Sequence, residues 1–155
     1  LFWDNMITTN LKSVLFASKY AANIMQPKAS IINISSLAGK RGSANNSVYC
    51  ASKFGVNGIT QALAKELGIK GIRVNAVCPV YLRTEGLENA LKETQSPTKG
   101  DNLDNFLTDF AKSQTALGIL QTEEQVANTC LFLASESAAA ITGQCINVDC
   151  GVMPQ

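Results

Sequence analysis

Apolar residues recur at helical spacing through the first two dozen positions. Leu11, Leu15, Ala17, Ala21, Ala22 and Met25 follow one another with few breakers, and Pro27 stops the pattern, so a long helix is predicted over residues 2–25. The stretch SIINISS at 30–36 is β-branched and apolar and is followed by Gly39; it reads as a buried strand emptying into a loop, and Gly, Asn and Ser dominate residues 39–47. A second long helix is predicted from Ser47 or Val48 to about Leu67, with Ser47 as N-cap. Along it Ala51, Gly55, Gly58 and Ala62 form a small-residue seam that would let another backbone approach closely. Two helix-interior glycines cost about 1 kcal/mol each relative to alanine, which such packing would offset. Gly68 and Gly71 close the helix, and IRVNAVC at 72–78 alternates and then runs apolar as a second buried strand. Leu87, Leu91, Leu103, Phe106, Leu107 and Phe110 suggest two short amphipathic helices around a polar link at 92–101. Thr122 and Gln125 form a capping box before Val126, Leu131 and Leu133, and residues 141–149 give a turn and a last strand.

Composition narrows the function classes. With 155 residues, 46% apolar and 16% charged, the chain has the size of one globular domain with a sizeable core. A net charge of +1 offers no field for steering nucleic acid or an anionic membrane, so neither partner is suggested. Cys50, Cys78, Cys130, Cys145 and Cys150 form an odd set without Cys-x-x-Cys spacing, and neither a secretory leader nor a membrane-length apolar run is seen; reduced thiols in a cytoplasmic protein are expected. The chain has no histidine, which excludes a Ser-His-Asp or Cys-His device within these residues and removes the usual zinc ligands, so no metal site is expected. Cys50 is read as a small helix-packing residue.

Chemistry concentrates in residues 36–53. Ser36 ends the apolar run, Tyr49 follows thirteen residues later, and Lys53 stands four residues beyond it. Residues i and i+4 stack on one helix face, so the Tyr49 hydroxyl and the Lys53 ammonium can converge. A phenol has a pKa of about 10, and a cation within about 4–6 Å favours the phenolate and lowers that value. Tuned in this way, Tyr49 could protonate an alkoxide or take a proton from an alcohol. Ser36 would sit at the carboxyl edge of its strand, where open parallel sheets place their ligands. A Tyr-x-x-x-Lys pair is common by chance, so the whole constellation carries the reading. Asn10 lies inside a predicted helix, where its amide competes for backbone groups unless it is put to use; the alternative is a solvent-facing polar residue. Lys40 and Arg41, in the loop, could meet an anionic substrate or simply be solvated.

The segments IINISSLAG at 31–39, VYCASKFGVNGITQALAKEL at 48–67 and IRVNAVCPV at 72–80, in that order, resemble the catalytic half of a short-chain dehydrogenase/reductase, and the resemblance runs from Trp3 to Gly151. It implies an α/β fold, a Rossmann-like doubly wound parallel sheet in three layers, of which residues 1–155 would be the C-terminal catalytic part. It also implies roles: Tyr49 as acid/base, Lys53 tuning it and holding the nicotinamide ribose, and Ser36 bonding the substrate oxygen. Asn10, 26 residues before Ser36, matches the family's asparagine that holds a water linking the lysine to solvent. The implied cofactor is NAD or NADP, with Pro79, Val80 and the Leu82 backbone lining the ring, and Thr84 on the carboxamide unless it is only a turn residue. Val80 stands where the family has glycine, and a β-branched residue resists positive φ, so the path of this loop is expected to differ. Residues 85–118 correspond to the family's substrate lid, and Cys150 replaces a frequent glycine. Helices 2–25 and 48–67 would pair with their copies in a homodimer or homotetramer.

A nicotinamide enzyme of this kind needs a glycine-rich turn after its first strand to meet the pyrophosphate. None lies in these residues, and the chain opens at Leu1, without methionine, inside a predicted helix. The turn is expected upstream, in roughly 100 further residues. The expected function is interconversion of a secondary alcohol and a ketone by hydride transfer, on a sugar alcohol, polyol or related hydroxy compound. Reduction of 3-ketoacyl groups is the alternative within the family; a truncated, non-catalytic piece that only packs or oligomerises is the alternative outside it.

Overall fold

The computed structural model describes residues 2–92, 96, 98 and 102–154. The first helical stretch is α1 (Phe2–Ile7), a π turn (Thr8–Lys12) and α2 (Ser13–Ile24). In the π turn the Ser13 N–H reaches back five residues to the Thr8 carbonyl, so the predicted long helix exists but is widened around Asn10. Strand β1 (Ser30–Ile34) leads through a 3₁₀ turn (Leu37–Gly39) to α3 (Ser47–Gly68). Ser47 is the first helical residue, and Asn46 holds the N-cap position without a side-chain bond, which corrects the expected cap. Strand β2 (Arg73–Pro79) is followed by α4 (Glu85–Leu91) and α5 (Leu103–Gln114), the two short helices expected there; most of the polar link between them lies outside the described residues. Helix α6 (Glu123–Ala134) opens with the predicted capping box. Thr122 Oγ1 accepts the Gln125 N–H at 3.2 Å, and Gln125 Oε1 accepts the Thr122 N–H at 2.8 Å. Strand β3 (Cys145–Val148) comes last.

The three strands form a parallel sheet in the order β1-β2-β3, with Ser30 opposite Arg73 and Ala76 opposite Cys145. Central β2 is apolar almost throughout because helices cover both its faces. On one face Ala22 of α2 and Leu63, Ala64 and Leu67 of α3 pack on Ile31, Ile72 and Val74. On the other, Val126 and Leu133 of α6 pack on Val77 with Ala138. Layering of helix, parallel sheet and helix is the Rossmann-like arrangement expected. Between the first two layers the buried Asn33 Nδ2 donates to Thr60 Oγ1 at 2.9 Å, fixing α3 against β1.

The small-residue seam of α3 divides in two. A Cβ at Gly55 would lie 2.7 Å from Leu11 Cδ1, so this glycine admits a side chain of the first helical stretch and not a backbone. Gly58 has nothing within 4 Å and faces outward.

Candidate active site

The site begins where β1 ends. The Ser35 N–H donates to the Val77 carbonyl at 2.8 Å, which carries the ladder one residue past the strand and delivers Ser36 to the carboxyl edge of the sheet. Ser36 then caps the 3₁₀ turn, its Oγ accepting the Ala38 N–H at 3.1 Å. That turn is pressed on α3: Asn57 Nδ2 donates to the Gly39 carbonyl at 2.9 Å, and Ser35 Oγ donates to the Lys53 carbonyl at 3.3 Å. Tyr49, in the first turn of α3, is thereby brought close enough to Ser36 for the serine side chain to act on the phenol. One turn further along, Lys53 places its Nζ 5.7 Å from the Tyr49 ring centroid.

Asn10 joins this group indirectly. Its Nδ2 donates to Ser52 Oγ at 3.3 Å and to Met6 Sδ at 2.9 Å, while Ser52 Oγ donates to the Tyr49 carbonyl at 2.7 Å. The π turn presents the amide to α3, and the contact falls on Ser52, the neighbour of Lys53. Ser36, Tyr49, Lys53 and Asn10 thus come together around one end of α3.

The electrostatics correct one expectation. Tyr49 is not lowered by its lysine: burial raises its pKa, and the nearby Ser36 side chain only partly opposes that. Burial likewise lowers the pKa of Lys53, opposed in part by the nearby Cys78 thiol. The cause is geometric. Lys53 Nζ donates to the Ile34 carbonyl at 3.0 Å and lies over the phenol ring, 5.7 Å from its centroid. Desolvation then disfavours the charged form of both groups.

The loop after β2 supplies the remaining predicted residues. Val80 keeps negative φ, since the non-glycine residues at positive φ among the described residues are Lys28, Asn45 and Cys150; the loop therefore runs without a positive φ where a glycine was expected. Pro79 ends β2, and the Leu82 side chain packs under α6, which leaves its backbone for contacts. Thr84 is the N-cap of α4, its Oγ1 accepting the Leu87 N–H at 3.2 Å, and its hydroxyl hydrogen has no acceptor among the described residues. Gln121, which nothing in the sequence singles out, fixes the loop by donating from Nε2 to the Tyr81 carbonyl at 3.1 Å, with its Oε1 buried and unpartnered. Ser52 is a second omission. It is fully buried, so its hydroxyl must find a partner, but only the fold shows which.

These donors fit the ribose and carboxamide end of a nicotinamide cofactor. Lys53 Nζ carries three hydrogens and has one acceptor, the Ile34 carbonyl, among the described residues, and Thr84 offers another donor. No strand in the described residues is followed by a glycine-rich turn, so the pyrophosphate end has no matching cradle there. Nor do the described residues hold a group of three or more His, Cys, Asp or Glu able to bind a metal ion.

Ser36 at the carboxyl edge of the parallel sheet faces Tyr49 and Lys53 of α3, and the chain belongs to the short-chain dehydrogenase/reductase family: a family model described as Enoyl-(Acyl carrier protein) reductase matches residues 2–153. It is 37% identical over 152 residues to the 3-oxoacyl-(acyl-carrier-protein) reductase FabG of Chlamydia muridarum, covering 97% of this chain and 56% of that protein. Sorbitol-6-phosphate 2-dehydrogenase SrlD from Erwinia amylovora superposes with a TM-score of 0.89 at 31% identity, over 99% of this chain and 60% of that one. A 4-hydroxyisoleucine dehydrogenase complexed with NADH superposes with a TM-score of 0.80 at 26% identity, over 97% of this chain and 59% of that one. The chain therefore spans somewhat more than half the length of the relatives it matches.

Proposed function

We propose that these residues form the catalytic half of an NAD(P)-dependent oxidoreductase that interconverts a secondary alcohol and a ketone. The observation that carries this reading is the convergence of Ser36, at the carboxyl edge of a parallel sheet, on Tyr49 in the first turn of α3, with Lys53 one turn further along the same helix. When bound, the nicotinamide supplies or accepts the hydride at the carbinol carbon. Ser36 orients the substrate oxygen through its hydroxyl. Tyr49 donates its phenolic proton to that oxygen as negative charge develops, and the burial that raises its pKa keeps the proton in place near neutrality, which suits reduction. For the reverse reaction the phenolate must form, and the Lys53 ammonium beside the ring is the charge that would favour it. Lys53 and Tyr49 would hold the ribose, and Thr84 with the backbone of residues 79–82 the carboxamide. Asn10 holds Ser52 and, through it, the helix turn that carries Tyr49, a suitable start for a proton path from Lys53.

Two substrate readings follow from the relatives. The SrlD neighbour supports a polyol or sugar derivative, and the FabG relative a 3-ketoacyl group. A homo-oligomer built on residues 2–25 and 48–67 is supported by Phe16, Tyr20 and Ile24 of α2 and Phe54 of α3, all exposed. No helix of the described residues is long and apolar enough to cross a membrane, and five free cysteines support a reducing, cytoplasmic setting. The test is turnover by the full-length polypeptide with NAD and NADP against polyols and an acetoacetyl thioester. Ser36→Ala should lower kcat by about 100-fold, the effect of losing one donor to a developing oxyanion. Absence of turnover on every secondary alcohol and ketone tried would leave the reading of a piece that only packs.

A further inference from the structure

The loop between β2 and α4 is held at residues 81 and 82 by three contacts. The Tyr81 ring stands edge to face against Phe110 of α5, with 4.8 Å between centroids, and against Phe106 at 5.7 Å. The Leu82 side chain packs on the cluster of Val77, Val126 and Leu133. Between these two anchors the Tyr81 carbonyl accepts a hydrogen bond from Gln121 Nε2 at 3.1 Å, and it has no other donor among the described residues. Gln121 immediately precedes Thr122, whose capping box opens α6, and α6 is packed on the sheet. The loop is therefore tied to a fixed helix start.

The contact from Gln121 differs in kind from the other two. The ring and the leucine side chain locate their residues, but a peptide plane can still turn over between two located Cα atoms. Holding the carbonyl stops that rotation. Among the described residues every peptide is trans, and across a trans peptide the carbonyl of one residue and the N–H of the next point to opposite sides. With its carbonyl turned to Gln121, the Tyr81–Leu82 peptide aims the Leu82 N–H away from Gln121. That N–H has no acceptor among the described residues.

Gln121 also costs the fold something. It is only 5% exposed, and its Oε1 is buried with no partner among the described residues. A desolvated acceptor left without a hydrogen bond destabilises the folded state, so an apolar side chain of the same length would serve packing at least as well. What the amide adds is its single bond to the loop.

We propose that Gln121 is a positioning residue for cofactor binding: by holding the Tyr81 carbonyl it sets the Leu82 N–H as a donor to the carboxamide of the nicotinamide. The proposal rests on the reading above, in which the backbone of residues 79–82 meets that carboxamide. The test is calorimetric titration of the full-length polypeptide and its Gln121→Met variant with the reduced cofactor, NADH or NADPH, and with the matching ADP-ribose, which lacks the nicotinamide. Methionine keeps the length of the side chain and removes both the donor and the orphaned acceptor. Gln121→Met should weaken the cofactor by about five- to tenfold while leaving ADP-ribose binding and Tm as in the parent. Equal weakening of both ligands, or a marked fall in Tm, would show a role in the fold alone and overturn the proposal. Unchanged cofactor binding in the variant also overturns it, and the oxidoreductase reading then stands on the parent's binding and turnover. A parent that binds neither NADH nor NADPH overturns the proposal and that reading together.

Discussion

A single methyl group at Gly39 should unsettle both stability and catalysis. A Cβ built there lies 2.7 Å from the Lys53 carbonyl oxygen, 2.9 Å from the Lys53 carbonyl carbon and 2.9 Å from Ser35 Oγ. Comfortable contacts between carbon atoms start near about 3.5 Å, so the 3₁₀ turn and α3 must separate by roughly 0.5–1 Å. The atoms in the way are helix backbone and cannot rotate aside. Helix α3 cannot easily retreat either, because Asn33 with Thr60 holds it to β1 and Asn57 with the Gly39 carbonyl holds it to the turn, each at 2.9 Å. Overpacking of this kind costs about 1–3 kcal/mol, and alanine recovers about 0.4–1 kcal/mol by restricting the unfolded chain. Gly39→Ala should therefore destabilise by about 1–2 kcal/mol. The displaced turn carries Ser36, and the helix it pushes carries Tyr49 and Lys53. A misplacement near 1 Å at a reacting centre costs about 100-fold in rate. Urea denaturation and turnover number of the full-length polypeptide read the two effects, with Gly42→Ala as control because nothing lies within 4 Å of that position. A Gly39→Ala protein as stable and as active as the parent would refute the tight seating of the turn on α3.

Three further outcomes are expected. Gly58→Ala, in mid-helix with open space around it, should stabilise the isolated subunit by about 1 kcal/mol in urea; if α3 pairs with a second copy, light scattering should also show weaker assembly. Cys150 sits at φ 53°, a left-handed conformation that disfavours any side chain, so Cys150→Gly should add about 1 kcal/mol and raise Tm by a few degrees; a fall would mean that its packing outweighs the strain. Cys145 is pushed up from 9.0 to about 11 by burial, with Cys78 adding and Lys40 opposing, so its alkylation by iodoacetamide, read peptide by peptide, should still be accelerating between pH 9 and 11. A plateau near pH 9 would contradict this. Since the folded pKa lies above the unfolded one, this thiol adds stability below about pH 9 and loses that contribution as the pH climbs to about 11.

Much of the architecture could be read from local pattern. Strand β2 announced itself because Val74, Ala76, Val77 and Cys78 are all fully buried, which requires a continuous apolar run. Thr122 and Gln125 act within three residues of each other, so their reciprocal bonds were legible. Tyr49 and Lys53 were legible as neighbours for the same reason. Their electrostatics were not, because helical spacing carries no information about burial or about the competing Ile34 carbonyl 19 residues away. The π turn at Asn10 answers to Ser52, 42 residues on, and the loop at Tyr81 is fixed by Gln121, 40 residues on. Contacts of that range appear only once the layers are assembled. At Val80 the general resistance of β-branched residues to positive φ was sound, but the loop avoids that region altogether.

The central claim is that Tyr49 moves the proton while a nicotinamide moves the hydride. Replacing Tyr49 by phenylalanine keeps the half-buried ring and removes only the hydroxyl. In the full-length polypeptide, Tyr49→Phe should lower kcat by about 100- to 10,000-fold with the folded structure and cofactor binding retained. Ketone reduction by the parent should fall only as the pH rises past the ordinary phenol value of 10.0, because burial holds the proton on Tyr49. A Tyr49→Phe protein that keeps turnover within a few-fold of the parent would contradict the account.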